Sequence, residues 1–395
     1  MLLYWLWFAL ADTLSKRQKR LLLQHFSDIE SLYNCKDYSR IDGLTQEQLE
    51  QLADKNLDEA TTVRNVCRRK DIGILTITDE NYPARLKNIS DPPVVLFCKG
   101  VLPDFAQMPA IAVVGTRKAT AYGVTVAKQF GCELAQGGAI VVSGGAKGVD
   151  TMALEGALQA DGPTITVLGC GVDVVYPRNN KKLFAQVQKR GCLLSEYLPG
   201  TQPKPWQFPE RNRIISGLSN GVLVIEAPEK SGALITAKDA LEQGRDVYAV
   251  PANINMPSCA GSNALLAEGA QAVFAGWDIL KQYASQYPKT VNLTEPAKAQ
   301  KSQVAQENFF VNSDKKDIDN PHNNSYSVKN DETGTLSEQE QKVLEQLDHT
   351  PRELDDVLSQ LDLSAGEAMK LITKLSVRGL ILNHPGGMIS KPRNY

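Results

Sequence analysis

The sequence predicts an α/β protein built on an extended Rossmann-like, doubly wound parallel sheet, with a small helical domain before it and a winged-helix domain after it. Three patterns support this prediction. Short apolar runs alternate with helical stretches between residues 105 and 285, helical periodicity fills residues 1–75, and residues 335–395 combine helical stretches with a hairpin pattern. A chain of 395 residues also has room for two or three domains. We therefore expect a helical domain at 1–75, the Rossmann-like domain at 76–285, a flexible linker at 286–334 and the winged-helix domain at 335–395.

The central region contains short apolar runs that are typical of buried strands. They are Ile111–Val114, Ala139–Val142, Thr164–Leu168, Leu193–Leu194, Val222–Ile225 and Val247–Val250. Helical stretches lie between them, for example Thr125–Gln136, Thr151–Gln159, Lys181–Lys189 and Ile235–Gln243. Continuous apolar strands that alternate with helices indicate a parallel sheet covered on both faces. Such a sheet binds its ligands at the carboxyl ends of the strands.

The amino-terminal segment Met1–Leu10 is almost entirely apolar, but it does not have the pattern of a targeting signal. It lacks a basic stretch before the apolar run and a small-residue cleavage site after it. It is also about half as long as the roughly 20 residues that span a bilayer. We expect a buried helix here, followed by helices at Lys16–Phe26 and at Thr45–Ala53, the latter opened by a Thr45–Gln48 capping box. With no other membrane-spanning candidate, the sequence predicts a cytoplasmic protein.

The carboxyl-terminal pattern is that of a winged helix-turn-helix domain. Capping boxes at Ser337–Glu340 and Ser364–Glu367 each predict the start of a helix, and Pro351 suits the first turn of a helix between them. The third helix has apolar residues at Ala368, Leu371, Ile372 and Leu375. Leu380–Leu382 and Met388–Ile389 flank Pro385–Gly387, which predicts a hairpin. Three helices and a hairpin form this fold.

Composition excludes several classes of function. The formal net charge is −2, so a nucleic-acid site would have to come from a local cluster of cations rather than from a basic protein as a whole. The seven cysteines are scattered, without a CxxC pair, which argues against a disulfide framework and against a zinc site. No histidine lies between His25 and His322, so histidine-based catalysis in the central domain is excluded. We expect no metal ion.

Two glycine-containing turns directly follow predicted strands, and each includes cations. In the first, Gly115 precedes Arg117 and Lys118; the second is Ser143–Asp150, with Gly144, Lys147 and Gly148. Glycine lets backbone N–H groups approach an anion closely, and the start of a helix favours negative charge. Two such turns favour phosphate binding over simple tight turns. Neither is a GxxxxGK[ST] or a clean GxGxxG motif, so we expect no nucleotide cofactor.

Two further segments carry candidate binding residues. The stretch Pro205–Gly217 places Arg211, Asn212 and Arg213 shortly after Trp206 and Phe208. Cations for phosphates and aromatic rings for bases are what single-stranded nucleic acid requires. The alternative is that the rings belong to the core beneath an ion pair such as Glu210 with Arg213; we expect one ring to be buried and the other available. The second segment, Ser231–Thr236, can cap a helix or add N–H donors.

These segments together resemble the DprA/Smf family of DNA-processing proteins. The resemblance is carried by Val114–Gly123, Ser143–Asp150, Val167–Pro177, Leu194–Tyr197, Phe208–Ser219 and Ser231–Ala237, within a dense match over residues 105–275. It implies a homodimer that binds single-stranded DNA with little sequence preference and loads the recombinase RecA during natural transformation. It also implies that the positions that contact DNA fall on Arg117, Lys147, Phe208 and Arg211 or Arg213. The family usually has arginine where this chain has Lys147, and a lysine keeps the charge without bidentate phosphate recognition.

The predicted DNA- or phosphate-binding set is therefore Gly115, Arg117, Lys118, Ser143, Gly144, Lys147, Gly148, Phe208, Arg211, Asn212, Arg213, Ser231 and Thr236. We expect no catalytic residue and no cofactor, with single-stranded DNA, RecA and a second copy of the chain as partners.

Two other functions remain open on the sequence. A phosphoribohydrolase-like, nucleotide-binding enzyme would use a related Rossmann core, with Glu196 or Glu226 as acid or base, but the turn Ser231–Thr236 lacks the loop and the following glutamate that such enzymes need. We favour helix capping or pairing with arginine for these two glutamates. A sequence-specific regulator would act through the winged helix alone, which leaves the larger central domain without a role.

Overall fold

The structure is a computed structural model, and it describes residues 1–293, 338–348, 350, 352–353, 357, 371–376, 380–384 and 388–391. The chain divides into two compact units, Met1–Glu307 and Asn308–Tyr395. The boundaries predicted at residues 75, 285 and 334 stay predictions, and the linker beyond residue 293 lies outside the described residues.

Five helices begin the chain, and their ends follow from local sequence. They are α1 (Leu2–Leu10), α2 (Lys16–His25), α3 (Ile29–Asn34), α4 (Gln46–Ala53) and α5 (Asp58–Arg69). The apolar α1 buries Trp5, Leu6, Trp7 and Phe8, as predicted for a core helix. The predicted Thr45–Gln48 capping box is confirmed, and a second one, Ser15–Gln18, opens α2. Among the described residues, no helix combines the length and the apolar character that crossing a membrane requires.

A nine-stranded sheet forms the centre of the first unit. Its strands are β1 (Gly73–Thr76), β2 (Val95–Gly100), β3 (Ala110–Val114), β4 (Ile140–Ser143), β5 (Thr164–Val167), β6 (Cys192–Ser195), β7 (Gly221–Val224), β8 (Asp246–Ala249) and β9 (Gln271–Ala272). Their order is β1-β2-β6-β5-β4-β3-β7-β8-β9. The strands from β6 to β9 in this order are parallel, and β1 and β2 add an antiparallel edge. The predicted parallel, doubly wound sheet is confirmed.

Helices cover both faces of this sheet. They are α6 (Ala84–Lys87), α7 (Ala121–Gln136), α8 (Val149–Gln159), α9 (Lys181–Arg190), α10 (Gln207–Leu218), α11 (Gly232–Glu242), α12 (Ala260–Ala267) and α13 (Gly276–Tyr283). On one face, an apolar cluster joins α10 and α11 to every second strand residue, such as Ala112. On the other face, a cluster joins α7, α8 and α13 to the strand residues in between, such as Ile111. The helices α7 and α8 can approach closely because Gly156 has no side chain. A Cβ at this position would lie 2.0 Å from the carbonyl oxygen of Lys128. Five of the seven cysteines are buried, as predicted for most of them.

The strand order changes direction between β3 and β7. From β3 the chain adds β4, β5 and β6 on one side of it, and the later strands β7, β8 and β9 lie on its other side. The loops that leave β3 and β7 therefore diverge to opposite faces and open a crevice at the carboxyl ends of these strands. In open α/β sheets this is where ligands bind.

The second unit contains a helix, α14 (Glu338–Glu345), and three short strands, β10 (Arg352–Glu353), β11 (Leu382–His384) and β12 (Met388–Ser390). The strands pair in the antiparallel order β10-β12-β11, so the predicted hairpin of β11 and β12 is confirmed. Val343, Leu347, Val357, Ile372, Leu375, Ile381 and Ile389 form its buried core. Ser337, Pro351, Ser364–Glu367, Ala368 and Pro385–Gly387, which carried the other expectations, lie outside the described residues.

Candidate nucleic-acid interface

A cavity of about 540 Å³ lies in the crevice at the carboxyl ends of β3 and β7. Its walls come from the turn after β3, from the start of α10 and from the turn that opens α11. A smaller cavity of about 200 Å³ lies beside it, between the turns that follow β3 and β4. Ten of the thirteen predicted site residues line one of these two cavities, although they come from four separate segments of the chain. Ser143, Gly148 and Arg213 line neither.

The turn after β3 presents two cations to the cavity. A Cβ at Gly115 would lie 2.6 Å from Cγ2 of Val149, so only glycine lets this turn pass so close to α8. The Thr116 N–H donates to the carbonyl oxygen of Glu226 (2.7 Å), which ties the turn to the segment that follows β7. Arg117 and Lys118 then project outward as exposed side chains. Within the described residues, neither has a carboxylate in ion-pair range.

The amino-terminal end of α7, which follows this turn, is occupied by a side chain of the protein itself. Thr120 donates to Oε2 of the buried Glu226 from both its N–H (3.0 Å) and its hydroxyl (3.1 Å). A Cβ at Gly123 would lie 1.8 Å from the same oxygen, so this glycine makes room for the carboxylate. Dinucleotide-binding Rossmann proteins place the pyrophosphate at this helix terminus. Glu226 is thus a helix-cap acceptor, which agrees with the interpretation favoured from the sequence.

The turn after β4 has buried and exposed parts. Ser143 is fully buried and donates to the carbonyl oxygen of Val113 (2.7 Å), so it holds two strands together. Gly145 and Gly148 have φ values of 65° and 81°, in the region that glycine adopts most easily. Lys147 lies between them, is exposed and lines the smaller cavity. Of the predicted residues in this turn, Lys147 is therefore the one available to solution.

Arg211 lies beneath this turn. The side chain is 4% exposed, and its Nη1 donates to the carbonyl oxygens of Gly144 (2.8 Å) and Val167. Burial lowers the pKa of the guanidinium to about 10, although Asp150 nearby favours the charged form. Burial likewise raises the pKa of the Asp150 carboxyl to about 6, against the opposing effect of Arg211. Arg211 thus shapes the turn from below, and its direct contact with phosphate stays a prediction.

Arg213 also has partners inside the protein. Its guanidinium binds the buried Glu196 in a bidentate manner, with N–O distances of 3.1 and 2.6 Å, and Lys16 of α2 reaches the same carboxylate at 3.2 Å. Burial alone would raise the pKa of Glu196, but these two cations outweigh it and hold that pKa below its ordinary value. The suggested pairing of Arg213 with the Glu210 carboxylate is wrong, because that carboxylate binds Lys16 at 2.8 Å. Phosphate contact by Arg213 stays a prediction.

Aromatic rings lie beside the exposed cations. Phe208 is half-buried, its ring centre 5.3 Å from the Arg117 guanidinium carbon and 5.4 Å from the ring centre of Tyr176. Trp206 is 54% exposed, so one ring is available, as expected. The expectation that the other ring is a core residue is wrong, because Phe208 is only half-buried. The ring of Tyr176, 41% exposed, was not predicted from the sequence. The only signal for it was its place in the Val167–Pro177 segment.

The turn that opens α11 forms the other wall of the larger cavity. Ser231 caps the helix, its hydroxyl accepting the N–H of Ala233 (3.3 Å). Asn212 of α10 donates from Nδ2 to the carbonyl oxygen of Gly232 (3.2 Å), which joins the two helices. Lys230 is exposed and lines the cavity, and it too was missing from the predicted set. The residues that line this cavity include four cations and a single carboxyl, that of Asp150. The cations are Arg117, Lys118, Arg211 and Lys230.

Two family models match parts of the chain. Residues 73–284 match the family model described as DNA recombination-mediator protein A, and residues 329–387 match that of the DprA winged helix domain. The chain belongs to the DprA/Smf family. The resemblance stated from the sequence and the expected winged-helix domain are thereby confirmed.

Individual relatives cover most of the chain. Protein Smf of Synechocystis is 30% identical over an alignment of 395 positions that covers 97% of each chain. DNA processing protein DprA of Bacillus subtilis is 43% identical over 58% of this chain and 76% of its own. Among solved structures, DprA of Streptococcus pneumoniae superposes with a TM-score of 0.60 at 35% identity, covering 71% of this chain and 98% of that one. DprA of Helicobacter pylori gives a TM-score of 0.50 at 33% identity, covering 55% and 97%, and its structure is described as showing a single-stranded-DNA binding mode of that protein.

Proposed function

We propose that the chain binds single-stranded DNA without sequence preference, in the crevice at the carboxyl ends of β3 and β7. The observation that carries the proposal is the placement of Arg117 and Lys147, both exposed and, in the described part of the chain, without an ion-pair partner, beside the rings of Phe208 and Tyr176. Cations bind the phosphates of a strand, and rings stack on its bases, which a duplex keeps inside. The binding mode described for the Helicobacter pylori relative supports the same choice of ligand.

The remaining predicted residues take part in this proposal in different ways. Gly115, Gly144 and Gly148 let the two turns approach the DNA strand closely. Ser143 holds β4 against β3. Arg211 and Asn212 fix the positions of the turns after β4 and before α11, while Arg213 is paired with Glu196. Ser231 and Thr236 belong to the wall formed by α11.

The proposal includes the absence of catalysis. Two carboxylates near the crevice, Glu226 and Glu196, line neither cavity, so neither is placed to transfer protons to a ligand. Oε2 of Glu226 accepts from Thr120, and Glu196 is paired with Arg213 and Lys16. Incubation with nucleoside monophosphates separates the two classes of function. Release of a free base would support the phosphoribohydrolase alternative.

The test of the binding proposal is the affinity of the full chain for single- and double-stranded DNA of equal length, measured across a salt series. We expect a clear preference for the single strand. If Arg117, Lys118, Lys147 and Lys230 each neutralise a phosphate, log K should fall with log salt with a slope of about −3, at about −0.7 per contact. Equal affinity for both forms, or a slope near zero, would contradict the proposal.

The family resemblance extends the proposal to recombination. We propose that the protein acts in the cytoplasm as a homodimer, protects incoming single strands and loads RecA on them during natural transformation. Assembly of RecA filaments on a strand precoated with single-strand-binding protein, with and without this chain, tests the loading step. Sedimentation of the chain at several concentrations tests the dimer.

A further inference from the structure

Trp206 presents an exposed ring that lies outside both cavities. Its neighbours Pro205 and Phe208 line the larger cavity, whereas Trp206 lines neither. The residue is 54% exposed, and Tyr197 supports the indole on one side, edge to face, with ring centres 6.2 Å apart. An aromatic ring that is held on one side and open on the other is a platform on which a base can stack. Trp206 therefore extends the aromatic surface of the crevice outward.

Loop contacts connect this ring to the end of α5. In the loop before Trp206, the Gly200 N–H donates to Oδ1 of Asp173 (2.7 Å). The other carboxylate oxygen of Asp173 binds the ammonium group of Lys70, which directly follows α5. Three residues after Asp173, a backbone distance of at most about 11 Å, the same loop reaches Tyr176, which lines both cavities. The carboxyl end of α5 therefore lies close to the crevice.

The outer face of α5 has a stripe of three exposed arginines. Arg64 and Arg68 are four residues apart, so they are neighbours on the helix surface, and Arg69 follows them. Among the described residues, no carboxylate lies in ion-pair range of these three side chains. The acids of this helix, Asp58 and Glu59, are in its first turn. The arginines therefore keep their full charge at the surface.

Helix stability does not account for this stripe. Like charges four residues apart repel each other and destabilise a helix. The last turn of a helix favours cations, which applies to Arg68 and Arg69 but not to Arg64. The formal net charge of the chain is −2, so the stripe is not part of a generally basic surface. It is a local surface that suits an anionic partner.

A single DNA strand is the partner that fits both features. Its phosphates bind arginines, and its bases stack on an open ring such as that of Trp206. An acidic protein segment would also bind the arginines, but it has no use for an exposed indole beside them. The loop contacts place both features next to the crevice, so a strand held there can reach them by extending outward.

We propose that a single strand bound in the crevice continues past Trp206 onto Arg64, Arg68 and Arg69 of α5, so that the amino-terminal helices form a second segment of the DNA site. The inference rests on the proposed binding of single-stranded DNA. It adds contacts that only a strand longer than the crevice can make. It therefore sets the length of DNA that the chain binds.

The experiment measures the affinity of the full chain for a short strand of about 6 nucleotides and a long strand of about 25, across a salt series. Single-strand-binding domains cover about 4–16 nucleotides, so only the long strand extends well beyond one such site. The variants are Trp206→Ala, a triple glutamine variant (Arg64→Gln, Arg68→Gln, Arg69→Gln) and a triple lysine variant of the same positions, which keeps the charge.

The matched control removes three charges elsewhere. It combines Lys189→Gln, Lys238→Gln and Lys289→Gln, which are exposed cations outside α5 and outside the walls of the two cavities. Melting temperatures are compared for all variants, and binding is measured where every variant is folded.

We expect the slope of log K against log salt to be steeper by about 2 for the long strand than for the short one, at about −0.7 for each of three further phosphate contacts. The triple glutamine variant should lose this difference and bind the long strand about tenfold more weakly or less. Trp206→Ala should weaken binding of the long strand by about 5- to 150-fold with little change of slope. The short strand should be bound within about twofold by all these variants, and the triple lysine variant and the control should keep the difference in slope.

Three results would overturn the inference. The first is a triple glutamine variant that binds the long strand with the affinity and slope of the control. The second is an equal loss with both strands, since the short strand does not reach α5. The third is a loss in Trp206→Ala alone, which would end the path before α5. If the triple glutamine variant does not fold, Arg64→Gln alone decides, because its long-strand slope should be shallower by about 0.7 and an unchanged slope would contradict the contact.

Failure of the proposed function looks different. If Arg117→Ala binds both strands weakly while the triple glutamine variant matches the control, the extension onto α5 is overturned and the proposed function stands. If Arg117→Ala binds both strands like the unmodified chain, the crevice is not the site, and a loss in the triple glutamine variant would still support the contact with α5. If the unmodified chain binds neither strand, both fail.

Discussion

Charge and stacking contribute separately at the scale of single residues, and Arg117 and Phe208 allow them to be separated. Arg117→Ala should weaken binding to every sequence alike and make the salt slope shallower by about 0.7, because a phosphate contact carries no base information. Phe208→Ala should cost about 1–3 kcal/mol of binding while leaving the salt slope nearly unchanged, since stacking releases no counterion. Fluorescence anisotropy across a salt series measures both effects.

Lys189→Ala is the control for this pair. Lys189 is an exposed cation near the end of α9, just before β6 begins. It therefore lies at the amino-terminal ends of the parallel strands, whereas the crevice lies at their carboxyl ends. A change of slope in this variant as large as in Arg117→Ala would mean that the chain's overall charge, not the crevice, determines binding. If the Phe208→Ala protein has a much lower melting temperature but binds DNA with normal affinity when folded, the ring has a structural role and does not stack on a base.

The buried carboxyl of Asp150 predicts a pH dependence of stability. Its pKa is raised from 3.8 to about 6 by burial, so the folded protein favours the protonated form more than the unfolded chain does. Stability from this group is therefore present below about pH 4 and is lost as the pH rises to 6 and beyond, by about 3 kcal/mol in total, at about 1.4 kcal/mol for each pKa unit. Urea unfolding at pH 4.5 and 7.5 should show that Asp150→Asn removes most of this decrease. An equal decrease in both proteins would show that Asp150 does not cause it.

Sequence reasoning found the cations of the site except Lys230, and it favoured pairing of Glu196 with an arginine without identifying which one. Among the described residues, Arg117 and Lys147 have no ion-pair partner, whereas Arg213 is paired with Glu196. Glu196 directly follows β6 and reaches Arg213 of α10 only in the folded chain. Burial of Arg211 has the same origin, because its partners are carbonyl oxygens of two separate strand ends. Neither contact has a signal in local sequence.

At the scale of elements, Glu226 determines how α7 begins. Replacing it with alanine removes the charged acceptor of both Thr120 bonds, which are part-buried, so we expect a loss of about 1–3 kcal/mol in the free energy of unfolding. Glu242→Ala is the control, since Glu242 ends α11 with a side chain that is 65% exposed. Chemical denaturation measures both. A loss in Glu226→Ala no larger than in Glu242→Ala would mean that the cap contributes little.

Strands and long helices could be predicted from the sequence within a few residues, because their apolar periodicity is set by the core they face. The predicted strand Ile111–Val114 corresponds to β3 at Ala110–Val114, and the predicted helix Lys181–Lys189 to α9. The helix α10 was not predicted as such, since its sequence contains Pro209. This proline lies in the first turn, where a backbone N–H has no partner within the helix in any case. The strand β9 has only two residues, too few for a pattern.

At the scale of the whole molecule, the crevice belongs to a unit that also includes the amino-terminal helices. Lys16 of α2 binds both Glu196 and Glu210, and Arg20 donates to the carbonyl oxygen of Ser90 (2.6 Å). The helices share an apolar cluster with β2 and α9. The sequence predicted a separate domain here because helical periodicity ends near residue 75. The contacts that join these helices to the sheet are between distant segments of the chain, so local sequence patterns could not predict them.

The same scale gives a test of where DNA binding resides. All residues that line the two cavities lie between Val114 and Thr236, and the second unit has an apolar core of its own. A chain ending at residue 293 should therefore bind single-stranded DNA with the affinity and the salt slope of the full chain, within about threefold and 0.7 respectively, the weight of a single phosphate contact. Its melting temperature and circular dichroism serve as controls for folding. A DNA strand held in the crevice has no need of the second unit. If the folded fragment has lost binding, and an isolated 335–395 segment binds duplex DNA with sequence preference, recognition belongs to the winged helix. That result would support the regulator alternative.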